Sequence, residues 1–366
     1  MLTIKAPETY INEENSILLS GEILSKIGSF ALIIGGEQAL QEAGNDLLSS
    51  LDEAHITYQV ETFTGYCTTE QIDHYSVIAK DLGVDVIVGV GGGKVLDLAK
   101  AVAERETLPV VTIPTIAATC AAWSSLSVLY TDSGVSSGFL LLQSTPKAVI
   151  VDPNILIKSP VRYLQAGIAD TIVKWYEYVP YANPDEYQVS LNISLNTAKH
   201  ALAILEEHSL QAIEDNKIGH VSKEFKEVVD AIIALAGLVG STSDSKPRLP
   251  VAHAIHNSIT AIPETKSILH GEKVIFGLIA QFLLEKKPQS EITEFIDKLT
   301  ELNLPVTLNQ LNLKDDLPIT IKAIANGVRL NKQATVDLPF EFEHHLIEQA
   351  LIEAHELGEQ SLKLEI

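Results

Sequence analysis

The chain has 366 residues, more than one hydrophobic core usually serves, and its 46% hydrophobic content is enough for two domains. With 48 acidic against 26 basic side chains it carries a formal charge of −22, a field of the wrong sign for a phosphate backbone, which argues against nucleic acid as a partner. No apolar stretch is long enough and free enough of charge to span a bilayer, and the start MLTIKAPETY has no basic region leading into an apolar run, so no membrane is involved and a cytoplasmic protein is expected. The two cysteines, Cys67 and Cys120, are too few for a disulfide framework and are read as reduced thiols.

From about residue 30 the pattern alternates between short β-branched runs and helical stretches. The runs are Phe30–Ile34, Thr57–Phe63, Val84–Val90, Val110–Pro114 and Lys147–Asp152. Near-continuous apolar strands separated by helices predict a parallel sheet covered on both faces, a doubly wound α/β domain.

The strand Val84–Val90 runs directly into Gly91-Gly92-Gly93-Lys94, and Val95, Leu98, Ala99 and Val102 then share one helical face. Strand, glycine turn and helix in that order put bare N–H groups and a helix N-terminus at one point, where an anion such as a pyrophosphate binds. The turn is neither G-x-G-x-x-G nor a Walker loop, because no Ser or Thr follows Lys94. A nucleotide is implied, without phosphoryl transfer. The next segment, Pro114–Tyr130, begins at a strand end and is rich in hydroxyls and small residues. Ligands of open α/β sheets bind beyond the carboxyl ends of strands, so it is expected to line the same crevice.

Beyond Pro153 the strand signals nearly stop, and apolar residues three and four apart predict helices over 185–208, 223–239, 271–286, 291–302 and 342–361. Pro153 and Pro160 punctuate the change. The expected organisation is an α/β dinucleotide-binding domain over residues 1–158 and an all-α domain over 159–366.

In the helical part, Asp170 lies among apolar neighbours with Lys174 one turn later. Burial of such a carboxylate is costly without a cation or a metal, so Asp170 either pairs with Lys174 or serves as a metal ligand. His253 and His256, three apart in PVAHAIHNS, face one way on a helix, and His270 opens HGEKVIFG. Two imidazoles and a carboxylate make an open, catalytic-type metal site, although any single histidine of the 11 in the chain, taken alone, is more readily a packed or surface one.

The segments Gly89–Ala103, Pro114–Tyr130, Gly167–Trp175, His253–Asn257 and His270–Val274 together resemble the glycerol dehydrogenase branch of the iron-containing alcohol dehydrogenase superfamily, in order and spacing over essentially the whole chain. Within that branch, Ala118–Trp123 and Ala169–Glu177 are most similar to the hydroxycarboxylate dehydrogenases, bacterial 2-oxo-acid reductases. The resemblance implies a dehydroquinate synthase-like fold in which the C-terminal all-α domain binds metal and substrate. It implies Asp170, His253 and His270 as metal ligands, with His256 beside them as a catalytic or substrate-side group. For the nucleotide, it implies Gly92, Gly93, Lys94 and Asp97 around the phosphates and Thr115, Ala118, Ser124, Leu126 and Tyr130 around the remainder. Two departures bear on function. Glycerol dehydrogenases carry an Asp at the position of Cys120, where it contacts the polyol, and a thiol is a poor acceptor. NAD-preferring relatives carry an Asp at the position of Gly36, where it binds the ribose 2′-OH and repels a 2′-phosphate.

The expected activity is therefore a metal-dependent, NAD- or NADP-linked oxidoreductase that interconverts a small alcohol or 2-hydroxy acid and its carbonyl or 2-oxo acid. One divalent metal is expected, Zn²⁺ first and Fe²⁺ or Mn²⁺ compatible with the donors. Cys120, Trp123 and Lys174 are the expected substrate-side residues, Lys174 as a partner for a substrate carboxylate. His256 is expected to relay the alcohol proton to solvent. A homo-oligomer is expected. The rivals are a glycerol dehydrogenase proper, a dehydroquinate-synthase-like lyase that leaves its nucleotide unchanged, and a non-catalytic relative that binds nucleotide and metal.

Overall fold

The computed structural model describes residues 2–183, 185 and 187–364. In chain order the first part contains β1 (Thr3–Ile4), β2 (Thr9–Asn12), α1 (Ser20–Ser25), β3 (Phe30–Gly36), α2 (Glu37–Glu53), β4 (Thr57–Phe63), α3 (Thr69–Leu82), β5 (Val86–Gly91), α4 (Gly93–Glu106), β6 (Val110–Pro114), β7 (Leu126–Tyr130), β8 (Ser136–Leu141) and β9 (Ala148–Val151). The rest is helical apart from the two-residue β10 (Thr242–Ser243): α5 (Pro153–Leu156), α6 (Val161–Tyr178), α7 (Val189–Ile218), α8 (Lys223–Asp230), α9 (Ala236–Gly240), α10 (Val251–Thr260), α11 (His270–Leu284), α12 (Gln289–Glu301), α13 (Leu317–Gly327) and α14 (His344–Leu364). Among the described residues, no helix is long and apolar enough to cross a membrane. All five predicted strands are present, and the division into a sheet domain and a helical region is that expected from the pattern.

Six strands form a parallel sheet in the order β2-β9-β6-β5-β3-β4. Alternate residues of each central strand point to opposite faces, and both faces are apolar. Ala31 and Ile33 pack with Ala43, Leu47 and Leu51 of α2, while Leu32 and Ile34 pack with Ile72 and Tyr75 of α3 and Leu98 and Val102 of α4. Each such fully buried aliphatic side chain contributes roughly 1.5–3 kcal/mol, which is why these strands carry no polar alternation. From β3 the chain moves outward to β4, then crosses to β5 on the other side of β3. This reversal leaves a crevice beyond the carboxyl ends of β3 and β5, at Gly36 and Gly91, the usual ligand position of an open sheet. An antiparallel hairpin, β7 with β8, follows β6.

The compact units are not contiguous in sequence. One comprises Thr3–Leu164 with Gln211–Thr242, and the other Gln165–Leu210 with the chain from Ser243 onward. The sequence pattern suggested a single break at 158/159; packing adds the 211–242 stretch to the sheet unit. Polar bonds explain the attachment. Asp230 accepts hydrogen bonds from Tyr10 Oη at 2.7 Å and Asn12 Nδ2 at 2.7 Å, next to the edge strand β2, and Asn216 Nδ2 donates to the Ile157 carbonyl at 3.0 Å. After Asp230 the helix widens into one π turn, Ala231–Leu235, before α9. Such a return is invisible to a pattern that reads only local periodicity.

Asp230→Ala is expected to lower the stability of the sheet unit by about 1–3 kcal/mol, because the Tyr10 hydroxyl and the Asn12 amide lose a buried acceptor. Urea unfolding followed by circular dichroism measures this. An unchanged midpoint would mean that the 211–242 stretch is held by other contacts.

Candidate metal centre and nucleotide-binding turn

Three helices of the second unit supply the candidate metal centre. On α6, Asp170, Lys174 and Glu177 are spaced i, i+4 and i+7, so one face presents all three. On α10, His253, His256 and Thr260 are spaced i, i+3 and i+7, and α11 begins at His270. Residue 271 must be glycine, since a Cβ there would collide with the Ala166 carbonyl of α6 and push His270 away from Asp170.

Asp170 is only 2% exposed, and its Oδ1 is the common point of the cluster. His253 Nε2, His270 Nε2 and Lys174 Nζ each lie 3.3 Å from it. The three ligating atoms of Asp170, His253 and His270 lie within 4.8 Å of one another. Behind them, Glu177 Oε2 lies 2.8 Å from His253 Nδ1, and Glu177 Oε1 accepts the His253 backbone N–H at 2.9 Å. His270 Nδ1 lies 3.0 Å from His256 Nε2, which in turn lies 3.1 Å from Thr260 Oγ1.

These partners set the tautomers. A buried carboxylate at Glu177 requires a proton on His253 Nδ1, which turns the Nε2 lone pair toward Asp170. If His270 Nδ1–H donates to His256 Nε2, the His270 Nε2 lone pair also faces Asp170, and the proton of His256 sits on Nδ1, a buried nitrogen without a hydrogen-bond partner. Two lone pairs aimed at one carboxylate repel each other unless protons or a metal cation lie among them. The donor set of two imidazole nitrogens and one carboxylate oxygen therefore fits a divalent ion and leaves coordination positions open.

The electrostatics agree with a site built for positive charge. Burial pushes the Asp170 carboxyl up, but Lys174, His270 and His253 outweigh it and hold the group well below the usual carboxylate range. Burial depresses His253, yet Glu177 and Asp170 raise it to about 9. Burial and the charges of His270, His253 and Lys273 keep His256 well below its ordinary value, so it is neutral.

Asp170, His253 and His270 are thus brought together. His256, 6% exposed, stands behind His270 rather than beside the other donor atoms. Lys174 forms the i,i+4 ion pair with Asp170. Glu177 and Thr260 escaped the sequence reading, although the spacing of seven from Asp170 to Glu177 was a usable signal.

In the sheet unit, the glycine turn joins β5 to α4. Gly91 has φ +149°, and Gly92 caps α4 with no side chain bonded to the first-turn N–H groups. A Cβ on Gly92 would come 2.7 Å from Ile116 Cδ1, so the side chain of the next segment packs directly over the turn. The uncapped helix N-terminus at the sheet's reversal point fits a pyrophosphate. The exposed Lys94 places its ammonium 4.1 Å from the Tyr66 ring centroid. Asp97 is turned inward, with Oδ1 3.1 Å from Lys100 Nζ, and burial raises its carboxyl despite that partner.

The segment after β6 lies against this turn. Thr115 donates its N–H to the Gly91 carbonyl at 3.2 Å, and Ala118 is partly exposed in the loop that follows. Ser124 and Leu126 are bonded to Lys100. Tyr130 donates its N–H to the Cys67 carbonyl at 2.9 Å, and its ring centroid is 5.6 Å from that of Tyr66. Cys120 is partly exposed and forms no disulfide, with its carbonyl accepting from the N–H groups of Trp123 and Ser124. Trp123 packs on Gly237 and lies 5.7 Å from the Tyr10 ring, and its buried indole N–H makes no hydrogen bond among the described residues.

Residues 7–153 match the family model for iron-containing alcohol dehydrogenases. The chain is 32% identical over 363 residues to a glycerol dehydrogenase of Citrobacter freundii, covering 98% of each chain. It is 38% identical over 271 residues to hydroxycarboxylate dehydrogenase A of Escherichia coli K12, covering 73% of this chain and 74% of the other. Among solved structures, that of a probable glycerol dehydrogenase from Sinorhizobium meliloti 1021 is similar with a TM-score of 0.88 at 27% identity, covering 98% of this chain and 99% of the other.

Glu177→Gln is expected to lower the affinity of the Asp170, His253 and His270 cluster for Zn²⁺ by about 10–100-fold, because His253 loses the partner that fixes its tautomer. Competition with a chromophoric chelator measures it. Wild-type affinity in the variant would reduce the Glu177–His253 bond to a packing contact.

Proposed function

The chain belongs to the iron-containing alcohol dehydrogenase family, and we propose that within it the protein interconverts a small alcohol or 2-hydroxy acid and its carbonyl or 2-oxo acid, with NAD or NADP as hydride carrier and one divalent metal held by Asp170, His253 and His270. The observation that carries the reading is the convergence of those three side chains, with both imidazole Nε2 atoms 3.3 Å from one buried carboxylate oxygen. When bound, the divalent ion supplies Lewis acidity toward a substrate oxygen and the nicotinamide supplies or takes the hydride. The donor chemistry suits Zn²⁺ first, with Fe²⁺ and Mn²⁺ compatible.

The chain's own groups have distinct tasks in this reading. Asp170 contributes the negative charge that lets two neutral imidazoles hold a cation. Glu177 orients His253 through its two hydrogen bonds. His256, neutral and buried, orients His270 from behind, its Nε2 accepting the N–H of His270 Nδ1. The glycine turn and the first turn of α4 hold the pyrophosphate, and Lys94 contributes charge beside it. Two features favour an acid over a polyol: the thiol of Cys120 accepts hydrogen bonds poorly, and Lys174 places a cation beside the metal ligands.

A screen of NADH and NADPH oxidation across 2-oxo acids, aldehydes and ketols, with metal-stripped and metal-restored protein, tests the reading. Turnover is expected only with metal, and Asp170→Ala and His270→Ala are expected to abolish it while nucleotide binding persists. Retained turnover in either variant refutes the metal assignment. Substrate conversion without net nucleotide oxidation would instead support the lyase alternative.

Gly36, at the carboxyl end of β3, governs the choice of nucleotide in this reading. A Cβ there meets only Val95 Cγ2 at 3.7 Å and Ala39 Cβ at 3.9 Å, ordinary contacts, so the backbone accepts a side chain at this position. Gly36→Asp is expected to reduce the affinity for NADPH about tenfold or more relative to NADH, by repulsion of the 2′-phosphate. An unchanged ratio of the two dissociation constants would remove Gly36 from the specificity site.

A further inference from the structure

Lys100 is a fully buried cation in the apolar interior of the sheet unit, with its side chain 0% exposed. It lies on α4, the helix that starts at the glycine turn. Its ammonium donates to the Ser124 carbonyl at 3.1 Å, to Ser124 Oγ at 3.0 Å and to the Leu126 carbonyl at 2.6 Å, and Asp97 Oδ1 lies 3.1 Å away. Three N–H donors thus serve three acceptors of one segment, with a carboxylate balancing the charge. Ser127 Oγ adds a bond to the Asp97 carbonyl at 2.8 Å.

The other end of the same segment is tied to the glycine turn. Thr115 N–H bonds Gly91 at 3.2 Å, and Ile116 fills the space left by the missing Cβ of Gly92. Midway, Thr112 Oγ1 on β6 donates to the Ala122 carbonyl at 2.8 Å. Residues 115–125 have no regular structure before β7, so these ties define their course. An apolar residue at position 100 would take the ammonium away from two carbonyls, a hydroxyl and a buried carboxylate, which is why a charge is kept on a helix whose buried residues include Leu98, Ala101 and Val102.

We propose that Lys100 is a positioning residue for the nicotinamide nucleotide: it clamps residues 124–126 to α4 and so holds the segment expected around the remainder of the nucleotide in register with the turn expected around the phosphates. Lys100 itself touches no nucleotide. The inference rests on the nucleotide-binding role proposed above for the sheet unit.

The test uses the full-length, metal-loaded protein with Lys100→Met, Lys100→Gln and, as a control, Val102→Ala on the same helix. Dissociation constants for NADH and NADPH come from nucleotide fluorescence, alongside thermal unfolding, metal affinity and steady-state kinetics. Lys100→Met is expected to raise both dissociation constants at least tenfold, with KM for the nucleotide following and kcat at saturation kept within about threefold. Lys100→Gln is expected to recover part of the loss, and metal affinity is expected not to change. Val102→Ala is expected to lower the unfolding temperature while keeping both constants within twofold. A folded Lys100→Met protein with wild-type dissociation constants overturns the inference, as does an equal loss of affinity in Val102→Ala. Should Lys100→Met not fold, hydrogen exchange on the wild type decides: NADH must protect the amides of 92–95 and 119–126 together, and no protection of 119–126 overturns the proposal. A wild-type protein that binds neither nucleotide overturns the nucleotide-binding reading itself.

Discussion

The carboxylate of Asp170 is the constraint around which the helical unit is organised. An ionised carboxyl removed from water costs several kcal/mol unless cations surround it. Here two histidines and one lysine meet the same oxygen. That requirement draws α6, α10 and the first residue of α11 to one point and explains why residue 271 has no side chain. It also makes the site asymmetric. Glu177, a second buried carboxylate on the same face of α6, is answered by the ring and backbone of His253, so one helix both ligates and orients. His256 has the converse position, neutral because burial and its charged neighbours leave no room for another proton.

The sheet unit follows the same rule with the opposite charge. Lys100 is buried among aliphatic side chains and is matched by two carbonyls, a hydroxyl and Asp97. In both units a buried charge brings together segments that are distant in sequence, where apolar contact alone would leave the register loose. The difference lies in what is left over. Around Asp170 the lone pairs of two imidazoles still converge and call for a cation, whereas around Lys100 the acceptors use up the donors. The first arrangement suits a ligand site and the second an internal clamp.

Much of the fold was legible from local pattern. Strands buried on both faces read as apolar runs, and β3, β5, β6 and β9 are such runs, while the edge strand β4 was legible from its β-branched and aromatic residues. The edge strand β2 was not legible, because TYIN is short and only its last residue is buried. The return of 211–242 to the sheet unit was not legible either, since it depends on single polar bonds such as Asp230 to Tyr10 rather than on periodicity. Of the site, the residues with distinctive chemistry stood out: the glycine turn, the histidines and a carboxylate in an apolar stretch. Glu177 and Lys100 did not, because a charged residue on a helix is ordinarily a solvated one and only burial reveals otherwise.

By itself the sequence determined the two kinds of domain, the family, the glycine turn at a strand end and the residues able to ligate a metal, because these follow from periodicity, steric freedom and side-chain chemistry. Tertiary structure alone decided which donors converge. His253 and His256 are equivalent in spacing and chemistry, yet one faces Asp170 while the other supports His270. That distinction depends on how α6 and α11 pack against α10, a matter of ångströms between helices that no one-dimensional pattern encodes.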